Sequence, residues 1–380
     1  MLGSMVARGR VMQVTQVVQA FESLGNSSRE RTGMSCFVPE QLRRFTKETL
    51  RARPVRPFDV QEVLRRIHLC EGMTVLAVDI GGDKITAADF SVLHGRVELS
   101  NHVLTVQGDN GVGYLAALRE VADSAQRRGI PVGISFAGPI SGTRLNAAPN
   151  MPFFAKELQA GYGGDFANLF WKLELANDAE AGIMAATLEA ARRYPDSSGV
   201  IYLINGSGLG GAVLTDATIY AAEPGHIEVA AQFNDFDGFA QRKQCGLDGA
   251  TYVCIEAVAA SKAGVEDIWH QLTGKRLTGR QISLRFLDGD ELARSVYLNS
   301  ARITAHAIRG MGAAFGLFQK GGQPVVIGHG GIFEVPGYGA LVGEILGRDL
   351  AAAARILFTK DFSGNTCLEG AAIAVMAGYA

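Results

Sequence analysis

The sequence has few cysteines, no long apolar run and almost no net charge, and each absence excludes a class of protein. Five cysteines scattered over 380 residues do not suit a secreted scaffold held by disulfides. No apolar run reaches the ~18 residues of a membrane span, and polar residues interrupt the apolar stretch near the N-terminus where a signal peptide would have its core. We therefore expect a cytoplasmic protein with no membrane partner.

Charge is unevenly distributed, although the net charge of −2 excludes a general binder of polyanions. Residues 1–70 carry twelve Lys and Arg against six Asp and Glu, which gives +6; the remaining residues carry 24 against 32, which gives −8. A basic segment of this kind suits DNA or a helical arm that packs on the body of the protein or on a partner. Pro54 and Pro57 interrupt it where a DNA-recognition module needs continuity, so the packing arm is favoured over nucleic acid.

Beyond this segment, short apolar runs alternate with helical patterns, which is typical of an α/β protein. The compact body is predicted to begin at Met73, and a short amphipathic helix is predicted before it at Val60–Leu69. The pattern then predicts strands at 75–79, 131–136, 173–175, 199–204 and 324–327, and helices at 112–128, 166–173, 179–193, 291–319 and 368–379.

Glycine is abundant, at 47 of 380 residues or about 12% against a typical ~7%, and two clusters follow predicted strands. Gly81-Gly82 comes after Asp79, and residues 206–211 have the spacing G-x-G-x-x-G. A dinucleotide site requires a helix directly after such a turn, whereas residues 212–215 have the pattern of a strand. The clusters are thus either ordinary tight turns or two turns whose N–H groups bind phosphates, with Asp79 placed to orient Mg²⁺ through water.

Asn177-Asp178 lies at a predicted junction from strand to helix. Both residue types are favoured as helix caps, which is the simpler interpretation. The functional interpretation is a carboxylate that accepts the proton of an alcohol attacking a γ-phosphate. In a loose transition state that proton leaves late, so an ordinary Asp suffices and positioning supplies most of the rate.

A polar cluster follows, with Glu223, Gly225 and His226 and then Cys245 and Cys254. His and Cys bind zinc where they converge, but this spacing does not match a zinc finger. A zinc site and a set of unrelated loop residues both fit the pattern.

In combination, these segments resemble the ROK family (repressors, open reading frames and kinases) over residues 73–380. Six segments in one order carry the resemblance: Asp79-Ile80-Gly81-Gly82-Asp83-Lys84-Ile85, Ala148-Pro149-Asn150-Met151-Pro152, Asn177-Asp178-Ala179, residues 206–211, Glu223 to His226 with Cys254-Ile255-Glu256, and Ile327-Gly328-His329-Gly330-Gly331-Ile332. Each segment is modest alone, but six in order are specific.

The resemblance implies the α/β, two-lobed actin/hexokinase-like (ribonuclease H-like) fold with an extra N-terminal helical segment. The expected domains are a basic helical extension at 1–72, an N-terminal lobe at 73–178 with a C-terminal helix at 366–380 returning to it, and a C-terminal lobe at 179–365. A homodimer is expected by analogy with the family.

The resemblance also implies an ATP-dependent kinase of a hexose or a related amino or N-acetyl sugar, with Asp178 as general base. The residues expected to bind sugar are Gly138, Asn150, Asn177, Glu223, His226 and Glu256. Those expected to bind ATP and Mg²⁺ are Asp79, Gly81, Gly82, Asp83, Lys84, Gly206, Ser207, Gly208, Gly210, Gly330 and Gly331. The implied zinc ligands are His226, Cys245 and Cys254.

The sequence departs from the family pattern at two functional places. Asp83 stands where the first phosphate turn usually has Thr or Ser, and like charges ~4 Å apart repel by ~4 kcal/mol at an effective dielectric of ~20. Lys243 stands at the first cysteine position of the zinc motif, and Cys254 comes four residues late. A sugar-responsive transcriptional regulator and a non-catalytic sugar-binding relative are the alternatives to a kinase.

Overall fold

The computed structural model describes residues 45–108, 111–148, 151–206, 208–229, 245, 252–319, 323–350, 355–358 and 365–379. All of them belong to one unit, Leu42–Ala380. Asn150 and Ser207, predicted to bind sugar and phosphate, lie outside the described residues, and so does Lys243.

The described residues form strands and helices that alternate along the chain. The strands are β1 (Arg53–Pro57), β2 (Thr74–Ile80), β3 (Lys84–Leu93), β4 (Arg96–Gln107), β5 (Val132–Phe136), β6 (Ile140–Ser141), β7 (Arg144–Leu145), β8 (Leu173–Asn177), β9 (Val200–Asn205), β10 (Leu209–Thr215), β11 (Thr218–Ala222), β12 (Val325–His329) and β13 (Arg355–Phe358). The helices are α1 (Val60–Leu69), α2 (Tyr114–Arg128), α3 (Pro152–Tyr162), α4 (Asp178–Arg193), α5 (Glu256–Ala259), α6 (Asp267–Thr273), α7 (Gly279–Leu287), α8 (Glu291–Ala314), α9 (Tyr338–Leu350) and α10 (Thr366–Tyr379). Each described helix is too short or too polar to cross a bilayer.

The first sheet has five strands in the order β4-β3-β2-β5-β8. The first three form an antiparallel meander, while β5 and β8 run parallel to β2. Because parallel strands end at the same edge, Ile80, Phe136 and Asn177 lie side by side there. Polar residues just before or after these ends can therefore converge on one ligand.

The second sheet has six strands in the order β1-β11-β10-β9-β12-β13. Strand β10 begins at Leu209, directly after the glycine turn, and pairs with both β9 and β11. This confirms the prediction that a strand, rather than the helix of a dinucleotide site, follows the turn. Strands β9 and β12 are parallel, so Asn205 and His329 come to the same edge.

Helices α4 and α10 pack on each other between the two sheets. Helix α10 also contacts β2 and β5 of the first sheet, and α4 contacts β9 and β10 of the second. Small residues make the close approach feasible, since a Cβ on Gly370 would overlap the Ala181 carbonyl and one on Gly133 would overlap the Ala371 carbonyl. The core between the sheets is built on this pair, and α2 and α3 cover the opposite face of the first sheet.

Residues 53–69, which precede the predicted start of the body at Met73, are part of it. Strand β1 pairs with β11 at the sheet edge, with a register irregularity between Pro54 and Arg56. Proline lacks an N–H donor and is tolerated on an edge strand, so the two prolines break a helix without breaking this strand. Helix α1 has the predicted bounds and buries Val63 and Ile67 in the core between the sheets.

Candidate active site

Asp79 lies at the carboxyl edge of the first sheet with both carboxylate oxygens hydrogen-bonded. Its Oδ1 accepts from the Ser135 hydroxyl at 2.9 Å, because Asp79 and Ser135 pair across β2 and β5. Its Oδ2 accepts from Nδ2 of Asn365 at 2.9 Å. The side chain is partly exposed, so it is fixed in orientation and still reachable by a ligand.

Asn365 connects Asp79 to the start of helix α10. Its Oδ1 accepts from the N–H groups of Cys367 at 3.0 Å and Leu368 at 3.3 Å, which is the geometry of a helix cap. Neither Asn365 nor Ser135 is part of a recognisable motif in the sequence. An Asn before a helix is an ordinary cap, and only the fold brings this one to a carboxylate far away in the chain.

Asp178 is the first residue of α4, directly after the helix cap Asn177. Oδ1 of Asn177 accepts from the Ala179 N–H at 3.0 Å, and its Nδ2 donates to the Gly138 carbonyl at 3.1 Å. The Asp178 carboxylate also accepts from the Ala179 N–H, at 2.9 Å. The junction from strand to helix thus holds Asp178 at the edge where Asp79 lies.

The surroundings of Asp178 favour its protonated form. Surrounding protein atoms remove water from this partly exposed carboxyl, and this desolvation raises its pKa to about 7. The negative charges of Asp79 and Glu223 raise the pKa further, whereas the hydrogen bond from the Ala179 N–H lowers it. The Cys367 thiol donates to the Asp178 backbone carbonyl at 3.4 Å. A carboxyl group poised near neutral pH can accept a proton from a bound alcohol.

A second group of polar residues follows β11. Glu223 is exposed, and residues 224–226 form a short helical turn. Desolvation by the surrounding protein atoms raises the pKa of the Glu223 carboxyl. The positive charge of His226 lowers this pKa, and the negative charge of Glu256 raises it. Glu223 in turn adds to the rise in the pKa of Asp178, so the two carboxyl groups lie close enough for their charges to interact.

Glu256, at the start of α5, ties this group to the second glycine turn. Its Oε2 accepts from the Leu209 N–H at 3.1 Å and lies 2.9 Å from the position that a Cβ on Gly208 would take. Gly225 in turn packs on the Leu209 carbonyl, where a Cβ would overlap it. The residues predicted to bind sugar therefore lie against the residues predicted to bind phosphate.

The glycine turns at the edge of the second sheet adjoin each other. Gly330 has a left-handed φ of 99°, and a Cβ there would overlap the Asn205 backbone just before Gly206. By contrast, a Cβ on Gly206, Gly210 or Gly331 would meet no atom within 4 Å. The turns thus present backbone to open space, as phosphate binding requires.

The first glycine turn joins β2 to β3. The Gly81 N–H donates to the Lys84 carbonyl at 2.9 Å, Gly82 is partly exposed, and both Asp83 and Lys84 are exposed. Because Asp83 is exposed, water screens its charge, which lessens the repulsion from a phosphate expected from the sequence.

His226, Cys245 and Cys254, which the family resemblance implied as zinc ligands, lie close together. Their ligand atoms all lie within 4.8 Å of one another, and Cys245 Sγ is 3.5 Å from Nδ1 of His226. The Tyr252 hydroxyl donates to the His226 carbonyl at 3.0 Å and supports the arrangement. Burial raises the pKa of the Cys254 thiol to about 12, and the neighbouring Cys245 adds to the effect.

Comparison with known proteins decides the family. The model of the ROK family matches residues 75–377, which is most of the chain. The chain belongs to the ROK family. A curated relative of this ROK protein, the N-acetylmannosamine kinase of Escherichia coli O157:H7, is 26% identical over 306 residues, covering 79% of this chain and 98% of the relative.

Solved structures of other ROK proteins confirm the predicted actin/hexokinase-like fold. The ROK hexokinase from Thermus thermophilus matches with a TM-score of 0.56 and 24% identity, over 80% of this chain and 97% of that one. A ROK glucokinase from Streptomyces griseus, solved with glucose and AMPPNP, matches with a TM-score of 0.56 and 20% identity, over 79% of this chain and 98% of that one.

Proposed function

We propose that this ROK protein is an ATP-dependent kinase that phosphorylates a hydroxyl of a hexose or of a related amino or N-acetyl sugar. The observation that carries the proposal is the placement of Asp178. Asp178 follows the end of β8 at the sheet edge where Asp79 also lies, and desolvation together with the charges of Asp79 and Glu223 raises the pKa of its carboxyl to about 7. The base is thus close to a candidate magnesium ligand and interacts with a candidate sugar ligand.

In this proposal Asp178 accepts the proton of the attacking sugar hydroxyl. Glu223, His226 and Glu256 supply acceptors and a donor that suit a polyol. The Asn177 amide already bonds the Ala179 N–H and the Gly138 carbonyl, so we assign it the task of holding Asp178 and Gly138 in place. Positioning of the hydroxyl beside its base supplies most of the rate in phosphoryl transfer.

The residues present fit Mg·ATP. Ser135 and Asn365 leave each Asp79 oxygen a second lone pair, enough to hold the water shell that Mg²⁺ prefers to keep. A phosphate can approach the backbone closely at Gly206, Gly210 and Gly331, where a Cβ would meet only open space, although the Gly206 N–H already donates to the Gly208 carbonyl at 2.9 Å. When bound, Mg²⁺ would neutralise charge on the transferred phosphoryl group.

The first experiment compares wild type with Asp178→Asn. Purified protein is incubated with Mg·ATP and glucose, glucosamine, N-acetylglucosamine or N-acetylmannosamine. N-acetylmannosamine leads the panel because the curated relatives are named for it. ADP release and the mass of the sugar product are measured. We expect a sugar phosphate from wild type and a loss of at least about 10²-fold in Asp178→Asn, with sugar affinity by calorimetry nearly unchanged.

Asp290→Asn is the matched control, because Asp290 caps α8 through the Leu292 and Ala293 N–H groups and has no assigned role in the site. Turnover of Asp178→Asn at the wild-type rate would remove Asp178 from the mechanism. Nucleotide and sugar binding by wild type without any product would instead support the non-catalytic relative.

We further propose that His226, Cys245 and Cys254 bind Zn²⁺, with one position of a tetrahedron left for water or for a residue outside the described part of the chain. Metal analysis of protein purified without chelator is expected to find about one zinc per chain. Cys245→Ser should lose it, whereas Cys70→Ser should keep it, because the Cys70 thiol lies elsewhere and donates to the Met376 carbonyl. Zinc retained by Cys245→Ser, or absent from wild type, would contradict the assignment.

A further inference from the structure

Residues 45–57, here called the N-terminal strap, precede the family match and lie against the second sheet. The strap is firmly anchored. Phe45 is 4% exposed, fills the space over Gly310 of α8 and meets the His306 ring edge-on at 5.0 Å. The Lys47 ammonium lies 4.9 Å from the ring centres of both Tyr220 and Phe315.

The strap reaches the candidate sugar site through its backbone. Leu50 is fully buried, and its carbonyl accepts from the Glu223 N–H at 2.8 Å. Strand β1 then pairs with β11, the strand that leads into Glu223, with Arg53 opposite Ala221. The positive charges of Arg53 and Arg51 also act on the Glu223 carboxylate. Residues that precede the family match, Leu50 and strand β1, therefore fix the start of the turn at 223–226.

The strap reaches the candidate base through Arg56. Nε of Arg56 donates to Oε1 of Glu180 at 2.8 Å, and its Nη1 lies 3.9 Å from Oε1 of Glu174. Glu180 belongs to the first turn of α4, two residues after Asp178, and is only 8% exposed. A charge-assisted hydrogen bond to a nearly buried carboxylate holds its partners in a defined geometry.

We infer that the N-terminal strap positions the active site and that Arg56 is a positioning residue for Asp178. The inference rests on the proposed function and adds to it residues that the family match leaves out. The Leu50 carbonyl fixes the turn that carries Glu223, and Arg56 fixes, through Glu180, the turn that carries Asp178. One segment thereby sets the distance between the sugar and its base.

The test compares Arg56→Gln, Arg56→Lys and Arg66→Gln in the full-length protein. Arg56→Gln is expected to lower kcat about tenfold, because small misplacements of a base are costly, while KM for the sugar changes less than about twofold. Arg56→Lys keeps the charge and should recover most of the loss. Arg66→Gln is the matched control: Arg66 pairs with Glu62 and donates to the Ala377 carbonyl, both away from the site.

Glu180→Gln and the double variant complete the experiment and guard against a folding defect. If the two residues act as a pair, each single variant and the double variant lose a similar factor in kcat, and melting temperatures identify any variant that is merely unstable. Wild-type kcat in both Arg56→Gln and Glu180→Gln, or an equal loss in Arg66→Gln, would overturn the inference. A wild type that phosphorylates no sugar would instead remove the proposed function, and the inference with it.

Discussion

At the residue scale, Asp178 is held where ionisation is unfavourable. Its pKa of about 7 in the folded protein compares with 3.8 for an ordinary aspartate, chiefly because protein atoms crowd the carboxyl. At a pH between these two pKa values, Asp178 is therefore protonated in the folded protein and ionised in the unfolded chain. The group favours folding below pH ~4, and this contribution is lost as pH rises through ~7.

Asp178→Asn is therefore expected to stabilise the protein while it removes activity. The gain in melting temperature should be largest near pH 8, where wild type carries a partly desolvated charge beside Asp79 and Glu223, and should shrink as pH falls toward 4. Asp290→Asn serves as the control of opposite sign, because hydrogen bonds from the first turn of α8, Ala293 N–H foremost, lower the pKa of Asp290. Scanning calorimetry of both variants at pH 5 and 8 measures the difference. A lower melting temperature for Asp178→Asn at pH 8 would contradict the electrostatic account.

Individual residues differ in how far the sequence alone could identify them. Asn177-Asp178 and the cluster at 223–226 stand next to each other in the chain, so their chemistry is visible as a local pattern. Asn365 and Arg56 bond Asp79 and Glu180 across 286 and 124 residues of sequence. No local pattern encodes such contacts, because they exist only once α10 and β1 have packed.

At the element scale, the pair α4 and α10 carries the site, since α4 begins with Asp178 and α10 begins beside Asn365. The distance between the two helices depends on glycine, which has no Cβ to keep them apart. Gly370 faces the Ala181 carbonyl of α4 so closely that a Cβ would overlap it. A larger residue there must push apart two helices that also set the distance between Asp178 and Asp79.

Gly370→Ala is expected to lower the free energy of unfolding by about 1–3 kcal/mol through overpacking and to reduce kcat. Gly347→Ala is the matched control, because Gly347 lies exposed in α9 and a Cβ there would meet no atom within 4 Å. The same substitution there should stabilise by about 0.5–1 kcal/mol. Urea unfolding of both variants checks the contrast, and equal effects would show that the α4–α10 contact tolerates a methyl group.

The sequence predicted helices α1, α2, α4, α8 and α10 and the central strands of both sheets, whereas α3, α6, α7 and α9 were not predicted and several predicted ends were wrong. Helix α8 was predicted to reach residue 319 and ends at Ala314, because Gly316 takes a left-handed φ of 68° and turns the chain. The predicted helix at 166–173 is only a 3₁₀ turn at Phe166–Asn168, since β8 begins at Leu173. Strand β1 was missed because two of its five residues are prolines, which an edge strand accepts.

At the scale of the whole molecule, the two sheets contribute different parts of the site. The first sheet supplies Asp79, Asp178 and the glycine turn at 81–82, and the second supplies the glycine turns around Gly206 and Gly330 and the turn at 223–226. We propose that residues 73–178 with α10 form one lobe and that residues 179–365 form the other, with β1 joined to the second. Sugar and Mg·ATP would then meet between the lobes, where closure excludes water and limits hydrolysis of ATP. A dimer and a cytoplasmic location stay predictions.

A chain that begins at Met73 is expected to lose its stable fold, although the family match begins only at residue 75. Deleting residues 1–72 removes β1 and α1, and with them the buried side chains of Phe58, Val63 and Ile67. At about 2 kcal/mol for each such side chain, the loss is a large part of the ~5–15 kcal/mol that stabilises a typical domain. Deleting residues 1–44 alone keeps all these contacts and is the control. Thermal unfolding by circular dichroism distinguishes the two, and a cooperative transition of the 73–380 chain within a few degrees of full length would show that β1 and α1 are dispensable.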